Sequence, residues 1–296
     1  MRIVSLVPAA TEMLFALGMG DDVVAVSHEC DFPPQATELP RLTSSILPEG
    51  LEPGELDRAV RALSEEGRPL YELDEHRLRT LAPDVVVTQG VCTVCAVSLE
   101  QVEALARDMD PEPAVVSLEP TTLGEMLGDL RTIAQATDAK DAAVDLVQAL
   151  ADRIDRVRLA VRGAPEVRVA AVEWLDPVYV AGHWTPQLIE YAGGHDVLGM
   201  PGQPSETSSW EELAAMRPEV VVVMPCGYDL ERAHEEAEAF GDELAEIGAR
   251  RVVAVDASAH FSRPGPRLID GLELMAHVLH PDRVPDSPVP FLEVYL

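Results

Sequence analysis

Ala139-Lys-Asp-Ala-Ala-Val-Asp-Leu-Val-Gln-Ala-Leu-Ala-Asp-Arg-Ile-Asp-Arg-Val-Arg-Leu-Ala-Val161 is the stretch on which the reading of this chain turns. Ala143, Val147, Leu150, Ile154, Val157 and Val161 recur at alternating spacings of four and three, which lays one apolar stripe along a helix. Asp138 is the expected N-cap, and Gly163 with Pro165 ends the run. At ~1.5 Å per residue such a helix reaches about 35 Å, the width of a small domain. It acts as a pivot because the sequence before it is partly replayed after it.

Thr11-Glu-Met-Leu-Phe-Ala-Leu-Gly-Met-Gly-Asp-Asp-Val-Val24 aligns with Thr185-Pro-Gln-Leu-Ile-Glu-Tyr-Ala-Gly-Gly-His-Asp-Val-Leu198. Leu78-x-x-Leu-x-Pro-Asp-Val-Val-Val87 aligns with Leu213-x-x-Met-x-Pro-Glu-Val-Val-Val222, and Val115-Val-Ser-Leu-Glu119 with Val252-Val-Ala-Val-Asp256. The order is the same on both sides of the helix. Strand patterns alternate with helix patterns throughout, so the expected fold is α/β: two similar lobes with mostly parallel sheets, bridged by one long α-helix. The boundaries expected are an N-terminal lobe over 1–120, a short helix and the bridging helix over 121–163, and a C-terminal lobe with a Pro-rich tail over 164–296. The segment at about 43–77 has no counterpart in the second lobe and reads as an insertion on the first.

The chain has 296 residues, room for two real cores. Its 22 basic and 52 acidic residues give a formal charge of -30, which argues against nucleic acid and anionic membrane as partners. Lys140 is the only lysine, and the sequence does not separate a GC-rich genome from a salt-rich cytoplasm as the origin of the acidity. No apolar run approaches the length that crosses a bilayer. Met1-Arg2 leads straight into Ile3-Val4-Ser5-Leu6-Val7, too short for a signal core. The location expected is therefore cytoplasmic, or periplasmic or surface if the start is that of a processed form. Four cysteines in a cytosolic chain read as thiols or ligands, not structural disulfides.

Ligands of open parallel sheets bind beyond the carboxyl ends of the strands. His28, Cys30, Cys92, Cys95, Glu173, Trp174, His183, Trp184, Cys226, Tyr228, His260 and Arg263 all read as lying in loops just after strands. Cys92-Thr-Val-Cys95 is a single CxxC before a helix start, where a thiolate is favoured. With Cys30 and Cys226 it could complete a four-thiolate site for zinc or an iron–sulfur cluster, and His28 or His260 could substitute in a mixed site. This gives one functional reading, a cysteine-ligated protein with a redox or metal-handling role. No G-x-S-x-G elbow, Walker loop, G-x-G-x-x-G or H-E-x-x-H is present, and a hydrolase reading fares poorly.

Two α/β lobes joined by a helix, with Ser5-Leu-Val-Pro-Ala-Ala-Thr-Glu12, Asp31-Phe-Pro-Pro34, Leu81-Ala-Pro-Asp-Val-Val86 and Gly193-Gly194, resemble the helix-bridged solute-binding proteins of ABC transporters for iron chelates and cobalamin. The likeness covers about residues 1–280 and is greatest to the cobalamin-binding branch. It implies a non-catalytic binder of a corrinoid or related metal chelate held in a cleft between the lobes. The positions it implies for the ligand are Glu29, Gly90, Trp174, Tyr179, His260 and Phe261, with Arg263 near the mouth. His183 and Trp184 join them from the loop reading. The resemblance also implies one acidic residue on each lobe for docking to a permease, matched here by Glu75 and Glu211. A chain that is not exported cannot reach an outer permease face, so the expectation is a cytosolic branch that handles corrinoids or metals.

Overall fold

The computed structural model describes residues 1–48, 50–90 and 97–296. The chain separates into two compact units, one of Met1–Pro120 and Gly124–Gln148, the other of Thr121–Leu123 and Ala149–Leu296.

Unit one opens with β1 (Ile3–Ser5), α1 (Pro8–Ala16) and β2 (Val23–Val26). There follow β3 (Thr43–Ser45), α2 (Pro53–Glu65), β4 (Tyr71–Leu73), α3 (Glu75–Leu81), β5 (Val85–Gln89), α4 (Leu99–Arg107) and β6 (Ala114–Leu118). Among the described residues its main sheet has the order β2-β1-β5-β6, all parallel. Near-continuous Val and Ile runs suit this sheet because helices cover it; Val4, Val86, Leu78, Val102 and Leu105 pack in one cluster. The segment read as an insertion holds α2 and a small antiparallel pair, β3 on β4, with Thr43 opposite Leu73 and Ser45 opposite Tyr71. Strands of three mostly polar residues carry no hydrophobic period, so the sequence did not reveal them.

The helices α5 (Leu123–Ala136) and α6 (Lys140–Ala160) come next. All six residues of the expected stripe on α6 are buried. Asp138 is not the N-cap of α6: it has φ 58°, and the Ala139 N–H donates to Ala134 O at 2.8 Å. That is the closing turn of α5, in which a left-handed residue follows the helix and the next N–H reaches back. Asp tolerates this conformation better than most residues do. The position flanking α6 is Ala139, whose carbonyl accepts from Ala143 N at 3.1 Å.

Unit two contains β7 (Val167–Leu175), β8 (Val178–Val180), α7 (Thr185–Tyr191), β9 (Gly194–Asp196), β10 (Glu206–Thr207) and α8 (Trp210–Met216). It continues through β11 (Val220–Val223), α9 (Leu230–Ala239), α10 (Gly241–Ile247) and β12 (Arg251–Val255). It closes with α11 (Ala257–His260), α12 (Leu268–Leu279) and β13 (Phe291–Glu293). The strand order is β10-β8-β7-β11-β12-β13, with β9 also on β7. β9, β7, β11 and β12 are parallel, whereas β8, β10 and β13 pair antiparallel at the flanks. Glu173 and Trp174, expected in a loop, lie within β7, because β7 runs on to pair with the antiparallel β8. The acidic run over 230–247 forms two helices, α9 and α10, that break at Phe240, with φ -102° and ψ 26°.

The replayed sequence is also a replayed structure. α3 and α8 both end on a left-handed residue before a proline, Ala82 (φ 42°) and Arg217 (φ 49°). The Asp84 N–H donates to Arg2 O at 2.8 Å, and the Glu219 N–H to Arg168 O at 2.8 Å. The carboxylates reciprocate, Asp84 accepting from Arg2 N at 2.7 Å and Glu219 from Arg168 N at 3.1 Å. Each arginine then caps the helix C-terminus, Arg2 Nε on Leu81 O at 2.7 Å and Arg168 Nε on Arg217 O at 3.2 Å. A cation on the last carbonyls of a helix is favourable, so the same device was kept on both sides.

Candidate functional site

In unit one, β1 and β2 deliver their carboxyl ends to a narrow notch lined by Leu6, Ser27, His28, Glu29, Thr43, Tyr71 and Val97. Tyr71, from β4, donates its hydroxyl proton to Glu29 Oε1 at 2.9 Å and packs its ring 5.0 Å from that of His28. His28 is fixed through Thr43, whose Oγ1 lies 2.9 Å from its backbone N and 2.7 Å from Nδ1. Burial holds the His28 pKa below the ordinary value, with Glu29 opposing and Arg41 reinforcing the shift. The sequence had picked out Glu29 but not its partner Tyr71, which lies in the segment read as an insertion; only the β3–β4 pairing brings Tyr71 there.

Cys30 is buried beside this notch. Its Sγ lies 3.0 Å from Thr11 Oγ1 and 3.2 Å from Ser27 Oγ, and Arg41 Nη1 donates to its carbonyl at 2.5 Å. It sits in a hydroxyl-lined core of unit one, while Cys226 is exposed in unit two. Cys92 and Cys95 lie outside the described residues. Among the described residues no group of three or more His, Cys, Asp or Glu side chains is placed to hold a metal ion. Gly90, at the end of β5, is exposed; a Cβ there would meet Glu119 Oε1 at 2.6 Å, so only glycine fits without moving that carboxylate.

Unit two carries the aromatic set. Trp174 Nε1 donates to Asp176 O at 3.0 Å, and its ring meets Tyr228 edge-on at 5.4 Å. The Arg232 guanidinium lies 3.8 Å from the Tyr228 ring centre, and its Nη2 donates to Tyr228 Oη at 3.0 Å. Trp184 is buried and donates from Nε1 to Phe261 O at 2.7 Å, joining the loop before α7 to the loop after α11. Gly271 on α12 permits this approach, since a Cβ there would collide with His260 O and touch the Phe261 ring. His183, with φ 52°, stands 5.6 Å from the Trp184 ring. Burial lowers the pKa of His183 and of His260, whose Nδ1 is buried without a partner among the described residues. Tyr179, on β8, and Arg263, after α11, are half-buried.

Beneath the His183 loop lie two acids the sequence did not single out as a pair. Ser205 donates its hydroxyl proton to Glu173 Oε2 at 2.5 Å, and Gly182 N–H also donates to Glu173. Asp196 Oδ1 accepts from Leu198 N at 3.1 Å and Gly199 N at 2.8 Å. Burial pushes Glu173 up to about 7 and Asp196 up to about 6, each charge opposed by loss of water more than it is helped by these donors.

A family model described as periplasmic binding protein matches residues 3–246. The chain belongs to the periplasmic binding protein family. It is 22% identical over 274 residues to a vitamin B12-binding protein of Vibrio cholerae, spanning 92% of this chain and 86% of that one. The vitamin B12-binding protein of Pectobacterium atrosepticum is 24% identical, over 90% of this chain and 84% of its own length. The crystal structure of a periplasmic vitamin B12 binding protein of Vibrio cholerae superposes with a TM-score of 0.69 at 21% identity, over 94% and 96% of the two chains. A periplasmic heme binding protein from Pseudomonas aeruginosa superposes with a TM-score of 0.72 at 18% identity, over 100% of this chain and 98% of that one. At these identities the structures establish the two-lobe α/β fold.

The cytoplasmic location expected from the sequence is overturned by these findings, since the family is periplasmic and solved proteins of the same fold are periplasmic. That expectation rested on Met1-Arg2 leading into β1, and a domain's first strand carries no information about sorting. The objection to a permease partner falls with it. The family is one of binding proteins, so the chain is read as non-catalytic.

Proposed function

We propose that this chain is the binding component for a corrinoid, a cobalamin-like metal chelate. The observation that carries this reading is the aromatic and histidine set of unit two: Trp184 with His183 and Phe261, and Trp174 with Tyr228. Of this set Trp174 and His183 are half-buried, backed by the buried Tyr228 and Trp184, and ring surface of this kind suits the face of a large macrocycle, where contact area dominates and few polar groups fix orientation. The curated relatives named above bind vitamin B12 by name and run nearly the length of the chain, which supports the same class. Heme is the second reading, favoured by the heme-binding neighbours of the same fold.

Purified protein titrated with hydroxocobalamin should perturb the corrin visible spectrum and raise the melting temperature. Parallel titration with hemin ranks the two chelates. Absence of both signals at tens of micromolar would reject the chelate reading. We also assign Glu75 and Glu211 to permease docking. Both are exposed and lie in the first turns of α3 and α8, the pair of helices that the internal repeat equates. Charge reversal at both should abolish vesicle uptake with the cognate permease while leaving ligand affinity unchanged.

A further inference from the structure

Two loops of unit two are pressed together at a pair of glycines. One, residues 181–184, follows β8; the other, residues 198–205, joins β9 to β10. A Cβ on Gly182 would collide with Ser205 N and Pro204 C, and one on Gly199 with Ala181 O. The loops exchange backbone bonds, His183 N–H to Gln203 O at 2.5 Å and Gly202 N–H to His183 O at 2.8 Å. Glu173 reaches both at once: Gly182 N–H donates to it from the first loop and Ser205 Oγ, at 2.5 Å, from the second. Asp196 fixes the start of the second loop, its Oδ1 accepting from Leu198 N and Gly199 N. Its Oδ2 is buried with no partner among the described residues, on the side of Gly199 where Ala181 O also lies. Asp196 as a whole is only 6% exposed.

An ionised Oδ2 in that place has no donor, and a buried acceptor without a donor is costly, the more so when charged. Among the described residues no lysine or arginine acts on either carboxyl. The titratable groups that face them are each other, His195 beside Asp196 on β9, and His183 on the first loop. We propose that Glu173 and Asp196 form a proton-operated clamp on the 198–205 loop, holding it against residues 181–184 while both carboxyls are neutral and releasing it into water when they ionise. The second loop is the part that can leave. Met200, Pro201, Gln203 and Pro204 are exposed, and Gly202, at φ 75°, offers a hinge. Burial pushes Glu173 up to about 7 and Asp196 up to about 6, so the closed loop binds more protons than the open one. Closure is therefore favoured in acid and lost as pH rises through this range. The clamp lies within unit two and operates whatever ligand the protein takes.

Hydrogen exchange of the His183 and Gly202 amides in the full chain, corrected for the intrinsic pH dependence of exchange, reads the clamp directly. Between pH 5.5 and 8 their protection should fall at least about tenfold, while amides in the middle of α6 keep theirs. Glu173→Gln combined with Asp196→Asn removes both titrations and leaves each side chain an acceptor oxygen, so protection should stay flat with pH. Glu173→Gln alone should reduce the fall to at most about fivefold, which tests the clamp even where the double variant does not fold. His183→Gln and His195→Gln should each retain the wild-type fall. Wild-type protection independent of pH, a matching fall across α6, an undiminished fall in the Glu173 variants, or its loss in either histidine variant overturns the proposal.

Discussion

Glu173 is a carboxyl group whose environment favours the proton. Its ordinary value of 4.5 is pushed up to about 7 because burial penalises the charge more than Ser205 and Gly182 offset it, with Asp196 adding repulsion. The unfolded chain releases this proton near 4.5, the folded chain near 7. Above 4.5 the unfolded state gains by ionising where the folded state does not, so stability falls as pH rises from 4.5 to 7 and the deficit is complete above 7. For a half-buried residue this is about 2–3 kcal/mol. Glu173→Gln keeps an acceptor for Ser205 and removes the charge. Thermal denaturation at pH 5 and pH 8 should show the variant more stable than wild type by ~1–3 kcal/mol at pH 8, with little difference at pH 5. Parallel pH dependences of the two proteins would mean that Glu173 ionises without cost. Sequence named Glu173 as a residue near a strand end; it gave no sign of Ser205, which lies 32 positions away and arrives through the loop before β10.

The element on which the fold reading turned, α6, is fastened by more than its apolar stripe. Arg153 donates from Nε to Glu273 Oε1 at 2.9 Å and from Nη2 to Asp270 Oδ1 at 2.6 Å and Glu273 Oε2 at 2.7 Å, tying the second half of α6 to α12. The hydrogen bonds to Glu273 raise the Arg153 pKa further, so the guanidinium stays charged at all working pH. The three side chains are about a quarter exposed, so the bonds are partly desolvated and worth more than typical surface pairs. Arg153→Met keeps much of the packing and leaves the two carboxylates facing each other. The expected loss is about 1–2 kcal/mol, seen as a lower urea midpoint with an unchanged slope. A midpoint equal to wild type would reduce Arg153 to a solvated surface charge. The stripe was legible because burial on a helix imposes a period on the sequence. The partners of Arg153 were not, because they lie 117 and 120 residues further along the chain.

At the scale of the whole molecule the charge of -30 is the dominant electrostatic fact. Self-repulsion of this size destabilises a compact chain and is screened over about 10 Å at 0.1 M salt. The melting temperature should rise by several degrees between roughly 20 mM and 500 mM sodium chloride. A flat response would mean that the ion pairs already neutralise the surface locally. The sequence by itself determined the α/β class, the α6 stripe and the internal repeat, because each is a local pattern of apolar and turn-forming residues that the backbone must follow. It also carried the family motifs. Only the tertiary structure decided that Asp138 closes α5 instead of opening α6, that Tyr71 meets His28 and Glu29, and that Glu173 on β7 meets Ser205 and the charge of Asp196 on β9. Those outcomes depend on which distant segments exclude water from one another, and a donor, an acceptor and a desolvated carboxyl acquire their chemistry only when that exclusion brings them together.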